Sequence, residues 1–344
     1  MSEVVSDQSI DIAEEIFIPK RLDTLRIGMF GLGVVGSGVW RVLREKRTEF
    51  AKRFGIDVTI ERVCVRDGAK DREADLPTDL ITLNPSDILE DDSIDVVIEL
   101  MGGRYEAQAV IEAALKARKH TITANKLLLA YELPRLRTLA DRSGVNLHYS
   151  ASVCGSVPVL RALDNHRSGD SIEAIRGIVN GSTNFILSSM ASSGLSYDEA
   201  LVLARKKGFL EADPTLDVSG QDAAQKLSVL IYHAFGLHVT PDLIETNGIQ
   251  EITSERIETA LSNGNVIKLI AEASLDTNGK LKARVCLQAI AREHLFASTS
   301  DEFNALEITA RHAGPQILYG KGAGSFPTAS AVIGDVVELL REQL

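Results

Sequence analysis

The sequence is short of cysteine, has no long apolar run and carries no excess of positive charge. Its three cysteines, Cys64, Cys154 and Cys286, are far apart and odd in number, which excludes a disulfide framework and a cysteine-rich zinc site. The seven histidines show no H-x-x-x-H or similar ligand spacing. No stretch reaches the roughly 18 apolar residues of a membrane span. The opening MSEVVSDQSIDIAEE is acidic where a secretory leader is basic and then apolar. Lys and Arg number 37 against 48 Asp and Glu, and this formal charge of −11 disfavours nucleic acid and anionic membranes as partners. There is no internal repeat and no low-complexity tract. These exclusions lead to the expectation of a soluble, cytoplasmic globular protein.

At about 150 residues per domain, 344 residues suggest two or three units. Residues 1–23 are polar and acidic without a sustained period and read as a loose N-terminal arm. From residue 24 to 150, short apolar runs alternate with helical periodicity. Strands are expected at 25–30, 58–65, 95–100, 121–123 and 146–149, with helices at 36–52, 105–117 and near 133–143. This alternation predicts a parallel sheet covered on both faces, an α/β unit of nucleotide-binding type. From 151 to 318 the character is α+β: a strand at 172–179, helices at 183–192, 197–207 and 220–234, then strands from 266 to 309. Ser196-x-x-Glu199 predicts a capping box and Thr277-Asn278-Gly279 a hairpin turn. A last helix, 328–342, follows a glycine cluster, and the segment 319–344 is expected to return to the first domain.

Gly31-Leu32-Gly33-Val34-Val35-Gly36 is a G-x-G-x-x-G turn between a strand and a helix. Gly31 permits the tight turn, Gly33 allows backbone to approach a pyrophosphate, and Gly36 lets the helix pack on the strand. The helix start then offers unsatisfied N–H groups to the anion. The second strand runs out into Arg66-Asp67, where an acidic residue suits the ribose of NAD and an arginine the 2′-phosphate of NADP. Arg66 comes first, which favours NADP while leaving NAD usable.

Chemistry-bearing residues gather at strand ends and in one acidic segment. Met101-Gly102-Gly103 and Thr123-Ala124-Asn125-Lys126 each lie just past a strand, where open α/β sheets bind ligands. Residues 208–222 include Glu211, Asp213, Asp217 and Asp222 and lead straight into a helix. There Asp222 and Lys226 share a face, and two ordinary readings compete with catalysis: Ser219-x-x-Asp222 as a helix cap, and Asp222/Lys226 as a surface ion pair. Ala223, Val229 and Leu230 surround Lys226, however, and a desolvated lysine with a lowered pKa suits general acid/base work. His148 and His233 lie on apolar segments and read as core residues, and Cys154 has no evident base beside it.

Taken together, the glycine turn at 28–38, Glu99–Gly103, Thr123–Lys126, residues 150–158, Asn180-Gly181-Ser182-Thr183-Asn184, residues 208–226 and Gly320-Lys321-Gly322-Ala323-Gly324 resemble the homoserine dehydrogenase family. The resemblance runs from about residue 25 to the end. It implies a Rossmann-type dinucleotide-binding domain followed by an α+β substrate and dimerisation domain. It also implies reversible, NAD(P)H-dependent reduction of L-aspartate 4-semialdehyde to L-homoserine, on the way to threonine, isoleucine and methionine. In that reading Lys226 is the proton donor with Asp222 beside it. Glu211 binds the substrate ammonium with Asp217 nearby, and Lys126 assists at the substrate–nicotinamide junction. Gly102, Gly322 and Gly324 join the glycine turn and Arg66 at the cofactor, although Lys321 departs from a common proline. A sodium ion on the main-chain carbonyls of Ser150, Val153, Gly155 and Val157 is implied as well, with Ser150 replacing the family's usual glutamate. The family further suggests a homodimer. The length fits a short form without a C-terminal regulatory domain and hence weak feedback inhibition by threonine. Two alternatives are a reductase of another amino-acid-derived carbonyl and a catalytically silent NADP-binding sensor.

Overall fold

The computed structural model describes residues 23–70, 75–210 and 213–342. The expected N-terminal arm, apart from Asp23, and Glu211 lie outside the described residues.

The first domain follows the alternation of its sequence. β1 (Thr24–Phe30) feeds the glycine turn and α1 (Val34–Phe54). β2 (Asp57–Cys64), β3 (Ile81–Thr82), the short α2 (Ser86–Leu89), β4 (Val96–Glu99), α3 (Tyr105–Lys116), β5 (His120–Thr123), α4 (Lys126–Ser143) and β6 (Leu147–His148) complete it. The strands form one parallel sheet in the order β3-β2-β1-β4-β5-β6. Strand order reverses between β1 and β4, so the crevice beyond their carboxyl ends is the place where such sheets take ligands. The unbroken run Val96-Val97-Ile98 is fully buried, as befits a central strand covered on both faces.

The second domain begins with α5 (Val159–Gly169), β7 (Ile172–Ile178), α6 (Gly181–Ser193), α7 (Tyr197–Lys206), α8 (Thr215–Val218) and α9 (Gln221–Phe235). It continues through β8 (Glu245–Thr246), α10 (Ser254–Ser262), β9 (Asn265–Leu275), β10 (Leu281–Ala291), α11 (Leu295–Ser298), β11 (Phe303–Ala310) and β12 (Gly314–Lys321). Its sheet runs β12-β11-β7-β9-β10-β8, antiparallel except at β8. Helices α5, α6 and α9 contribute to one continuous core with its strands. The predicted capping box at Ser196/Glu199 and the turn at Gly279 (φ +75°) are both present.

α12 (Ser325–Glu342) crosses back to pack on α1. A Cβ on Gly38 would lie 2.8 Å from Ser325 Oγ and 3.1 Å from Ala329 Cβ, so a glycine is what lets the two helices meet. Val332, Val336 and Leu339 share a buried cluster with Leu25, Ile27 and Val39.

Several local expectations needed correction. α4 starts at Lys126 rather than near 133, because the Asn125 side chain caps it by accepting from Leu128 N–H (3.1 Å), and Pro134 is carried inside the helix. α10 and β12 were not expected. Ser219 does not cap α9: Gly220, left-handed at φ +81°, occupies the cap position without a side-chain bond, which frees Asp222 for other partners. Among the described residues no helix is long and apolar enough to cross a membrane.

Candidate active site

The three turn glycines are glycine for different reasons. Gly31 has φ +98°, and a Cβ there would sit 2.6 Å from the Leu100 carbonyl oxygen; one on Gly36 would sit 2.3 Å from the Gly31 carbonyl oxygen. Both are required by the chain's own packing. A Cβ on Gly33 would meet nothing within 4 Å, so the space it keeps clear is external. Gly33 caps α1 without a side chain, and the first turn holds no acidic residue, so its N–H groups and positive dipole end are available to an anion. Around the turn, Leu32 is buried, Val35 is half-buried and Val34 is exposed. Ser325 Oγ donates to the Val34 carbonyl (2.7 Å), which brings the strap 320–324, with Gly322 and Gly324, beside this turn. Gly102 is left-handed (φ +72°) and exposed. Arg66 is exposed just beyond β2, while Asp67 closes its own turn by accepting from Ala69 N–H (2.9 Å).

The charged centre lies where α4, α6, α8 and α9 converge. The Lys226 ammonium donates to Asp222 Oδ2 (2.7 Å) and to the Val179 carbonyl (2.8 Å). Lys126, the first residue of α4, reaches Asp222 Oδ1 at 3.2 Å from the other domain. A cation at a helix start opposes the dipole, and the Asp222 carboxylate offsets that cost. Asn180, capping α6 with its Oδ1, donates its Nδ2 to Asp217 Oδ1 (2.6 Å) and to Asp222 Oδ2 (2.7 Å). The side chains of Lys226 and Asp222 are only 13% and 9% exposed, so the i,i+4 pair is buried rather than a surface pair.

Burial sets the electrostatics here, and charge overrides it. Burial pushes the Asp222 carboxyl up, yet Lys226, Lys126 and the Asn180 amide hold it well below the usual carboxylate range. Burial pulls Lys226 down, yet Asp222 more than compensates and raises it above an ordinary lysine, contrary to the lowered value expected from its apolar neighbours. Asp217 lacks direct cation contacts of this kind, and burial raises it. The centre therefore holds a committed ammonium beside a committed carboxylate.

Two residues escaped sequence reasoning as site residues. Asn180 is the residue at the end of a strand that starts a helix, a cap signature that was there to be read. Glu99 is the acidic end of an otherwise apolar central strand. Its carboxylate, raised by burial, accepts from Thr123 Oγ1 (2.6 Å) and Met101 N–H (2.8 Å), tying together the two loops that flank the crevice. Asn125 completes the tie by donating to the Gly103 carbonyl (2.6 Å).

The segment carrying Ser150, Val153, Gly155 and Val157 borders the same centre. Ser150 N–H donates to Asp335 Oδ2 (2.9 Å), and the Val157 carbonyl accepts from Val159 N–H (2.7 Å). A Cβ on Gly155 would fall 2.7 Å from the Gly322 carbonyl, and Ser156 Oγ donates to the Lys321 carbonyl (3.3 Å), so this loop and the strap are locked together. Cys154 is buried, and burial pushes its thiol up to about 12, away from the thiolate form a nucleophile needs. His233 is paired with Asp164 (2.7 Å) and Tyr149 (3.0 Å), away from the charged centre. Among the described residues no three His, Cys, Asp or Glu side chains are arranged to hold a metal.

Comparison with known proteins gives two family matches: residues 31–150 to the homoserine dehydrogenase NAD-binding domain, and residues 158–337 to the homoserine dehydrogenase domain. The chain is 38% identical over 320 residues to the homoserine dehydrogenase of Bacillus subtilis, covering 93% of this chain and 74% of that protein. Against the Corynebacterium glutamicum homoserine dehydrogenase it is 40% identical over 322 residues, covering 92% and 72%. The crystal structure of the Thiobacillus denitrificans homoserine dehydrogenase superposes with a TM-score of 0.88 at 37% identity, covering 93% of this chain and 74% of that one.

Proposed function

The chain belongs to the homoserine dehydrogenase family, NAD(P)-dependent oxidoreductases acting on a CH–OH group, and we propose that Lys226, Asp222 and Lys126 carry its reaction. The reaction is the reversible reduction of L-aspartate 4-semialdehyde to L-homoserine. The observation that supports this assignment of roles is the buried Lys226–Asp222 pair, held by Asn180 and reached from the other domain by the part-exposed Lys126.

A nicotinamide dinucleotide held at the glycine turn and the strap would supply hydride chemistry, donating in reduction and accepting in oxidation. As negative charge builds on the aldehyde oxygen, the Lys226 ammonium stabilises it and gives up a proton. In oxidation the same nitrogen, having first released a proton to solvent, receives the hydroxyl proton. Asp222 keeps Lys226 oriented toward the substrate, and Lys126 would assist at the junction of substrate and nicotinamide. A zwitterionic substrate needs carboxylates for its ammonium, and Asp217 and Glu211 take that role.

The residues of the crevice suit the dinucleotide: the clear space at Gly33 and the uncapped start of α1 receive the pyrophosphate. We assign a preference for NADP on Arg66, since Asp67 is engaged in its own turn. The resemblance to the family supports a sodium ion on the main-chain oxygens of Ser150, Val153, Gly155 and Val157, of which the Val157 carbonyl already accepts from Val159 N–H (2.7 Å). A homodimer through the second sheet and a cytoplasmic location complete the reading, both from the family.

The test is homoserine oxidation with NADP and NAD side by side. Turnover with both and a lower KM for NADP is expected. No oxidation of homoserine alongside good activity on another amino-acid-derived carbonyl would overturn the substrate assignment.

A further inference from the structure

Lys268, on β9, is a buried ammonium that the reaction does not use. It is 3% exposed and donates to Asn184 Oδ1 (2.9 Å), Ser188 Oγ (3.2 Å) and the Thr299 carbonyl (2.5 Å), so all its donors are spent on neutral acceptors. Burial lowers it to about 8, with the Asp301 carboxylate opposing. Asn184, in the first turn of α6, spends its own amide on the carbonyls of Thr299 (3.2 Å), Asp301 (3.1 Å) and Phe303 (3.3 Å). Three carbonyls from five consecutive residues thus converge on one nitrogen. Between them Asp301 is held in the left-handed region at φ +53°. A loop with a strained residue and every inward carbonyl satisfied is over-determined by its surroundings.

What this loop presents is Glu302. Its carbonyl oxygen lies where a Cβ on Gly181 would come within 2.8 Å, and the same oxygen accepts from Gly322 N–H (3.4 Å). Gly181 directly follows Asn180, which holds Asp217 and Asp222; Gly322 belongs to the strap beside the glycine turn. One carbonyl therefore touches both the substrate side and the dinucleotide side of the crevice.

We propose that Lys268 and Asn184 are positioning residues, a buried truss that fixes the Glu302 carbonyl and with it the spacing between the Asn180-held carboxylates and the Gly322 strap. The inference rests on the site reading above. Removing a partner from a buried polar network leaves its acceptors unsatisfied, and here those acceptors are the loop. Lys226 and Asp222 keep their own contacts to Val179, Asn180 and Lys126. Loss of the truss consequently weakens binding of both ligands more than the chemical step.

The experiment compares Lys268→Met, which has similar length and no donors, with Lys268→Gln, which retains an N–H donor, in the full chain well below its melting temperature. Lys226→Ala serves as the control for the site itself. In Lys268→Met the KM values for homoserine and NADP are expected to rise together by about tenfold or more, the scale set by buried acceptors left unpaired, with kcat nearly unchanged. Lys268→Gln is expected to recover part of both. A lowered melting temperature with unchanged KM values in either folded variant would overturn the truss, as would a fall in kcat alone. Should Lys226→Ala retain turnover, the site reading fails independently of this result.

Discussion

Replacing Asp222 by Asn is the perturbation whose consequences follow most directly from the geometry. The carboxylate accepts from Lys226 (2.7 Å) and Asn180 (2.7 Å) and lies 3.2 Å from Lys126, at only 9% side-chain exposure. Asn has the same shape but no charge, and its amide nitrogen adds a donor where three donors already converge. Breaking a buried pair by removing one partner costs ~3–5 kcal/mol. Lys126 is more exposed and recovers solvent, so the lower end, about 3 kcal/mol, applies at neutral pH. The folded Asp222 pKa is depressed, so its stabilisation is present above the ordinary carboxylate range and is lost as pH falls through the folded value. The stability gap between wild type and variant should therefore close toward strong acid. Lys226 responds in the opposite sense. Its pKa is raised because Asp222 outweighs burial; with Asn that contribution is gone while burial stays, so the ammonium is lost at lower pH than in the wild type. The pH profiles of aldehyde reduction and homoserine oxidation should both move toward acid, together with a fall in kcat. Urea unfolding at two pH values and pH–rate profiles in both directions provide the assay. A variant that unfolds at the wild-type urea midpoint with an unmoved pH profile would refute the reasoning.

The remaining expectations concern the dinucleotide. Arg66→Ala should weaken NADP by roughly tenfold to a hundredfold, the worth of a hydrogen bond to a charged group, and leave NAD unchanged; equal effects on both would remove Arg66 from the 2′-phosphate. Gly33→Ala should keep stability within ~0.5 kcal/mol, since its Cβ meets nothing inside the protein, while lowering dinucleotide affinity in a direct binding titration. Gly36→Ala should do the reverse in part, destabilising by about 1–3 kcal/mol because its Cβ would press on the Gly31 carbonyl. Equal thermal stability in the two glycine variants would contradict this division.

Where the sequence was legible, the signal was local. The first domain could be read from runs such as Val96-Val97-Ile98, and the pairing of Asp222 with Lys226 from a four-residue spacing on one helix. Features that depend on distant partners could not be read in that way. Lys126 comes to Asp222 from the other domain, and Asn180 comes from the end of β7, so neither role has a neighbouring residue to announce it. The raised pKa of Lys226 has a distant cause of the same kind: Asp222 is visible four residues away, but Lys126 and Asn180, which hold it fully charged, come from remote segments. β12 is an edge strand with many exposed or half-buried positions and glycine at 314 and 320, so it lacks the alternation that marks a strand. In α4, Pro134 resembles a break, and the Asn125 cap that starts the helix lies nine residues before it. The truss of Lys268 and Asn184 joins residues 84 apart, and nothing in either local pattern points to the other.

If Lys226 moves the proton, its loss must show in homoserine oxidation by Lys226→Ala, followed as dinucleotide reduction, with dinucleotide affinity determined on the same preparation. A fall in kcat of about 10²–10⁴ is expected, the usual contribution of a positioned acid/base, with dinucleotide affinity close to wild type. Near-wild-type turnover in a folded, dinucleotide-binding variant would contradict it.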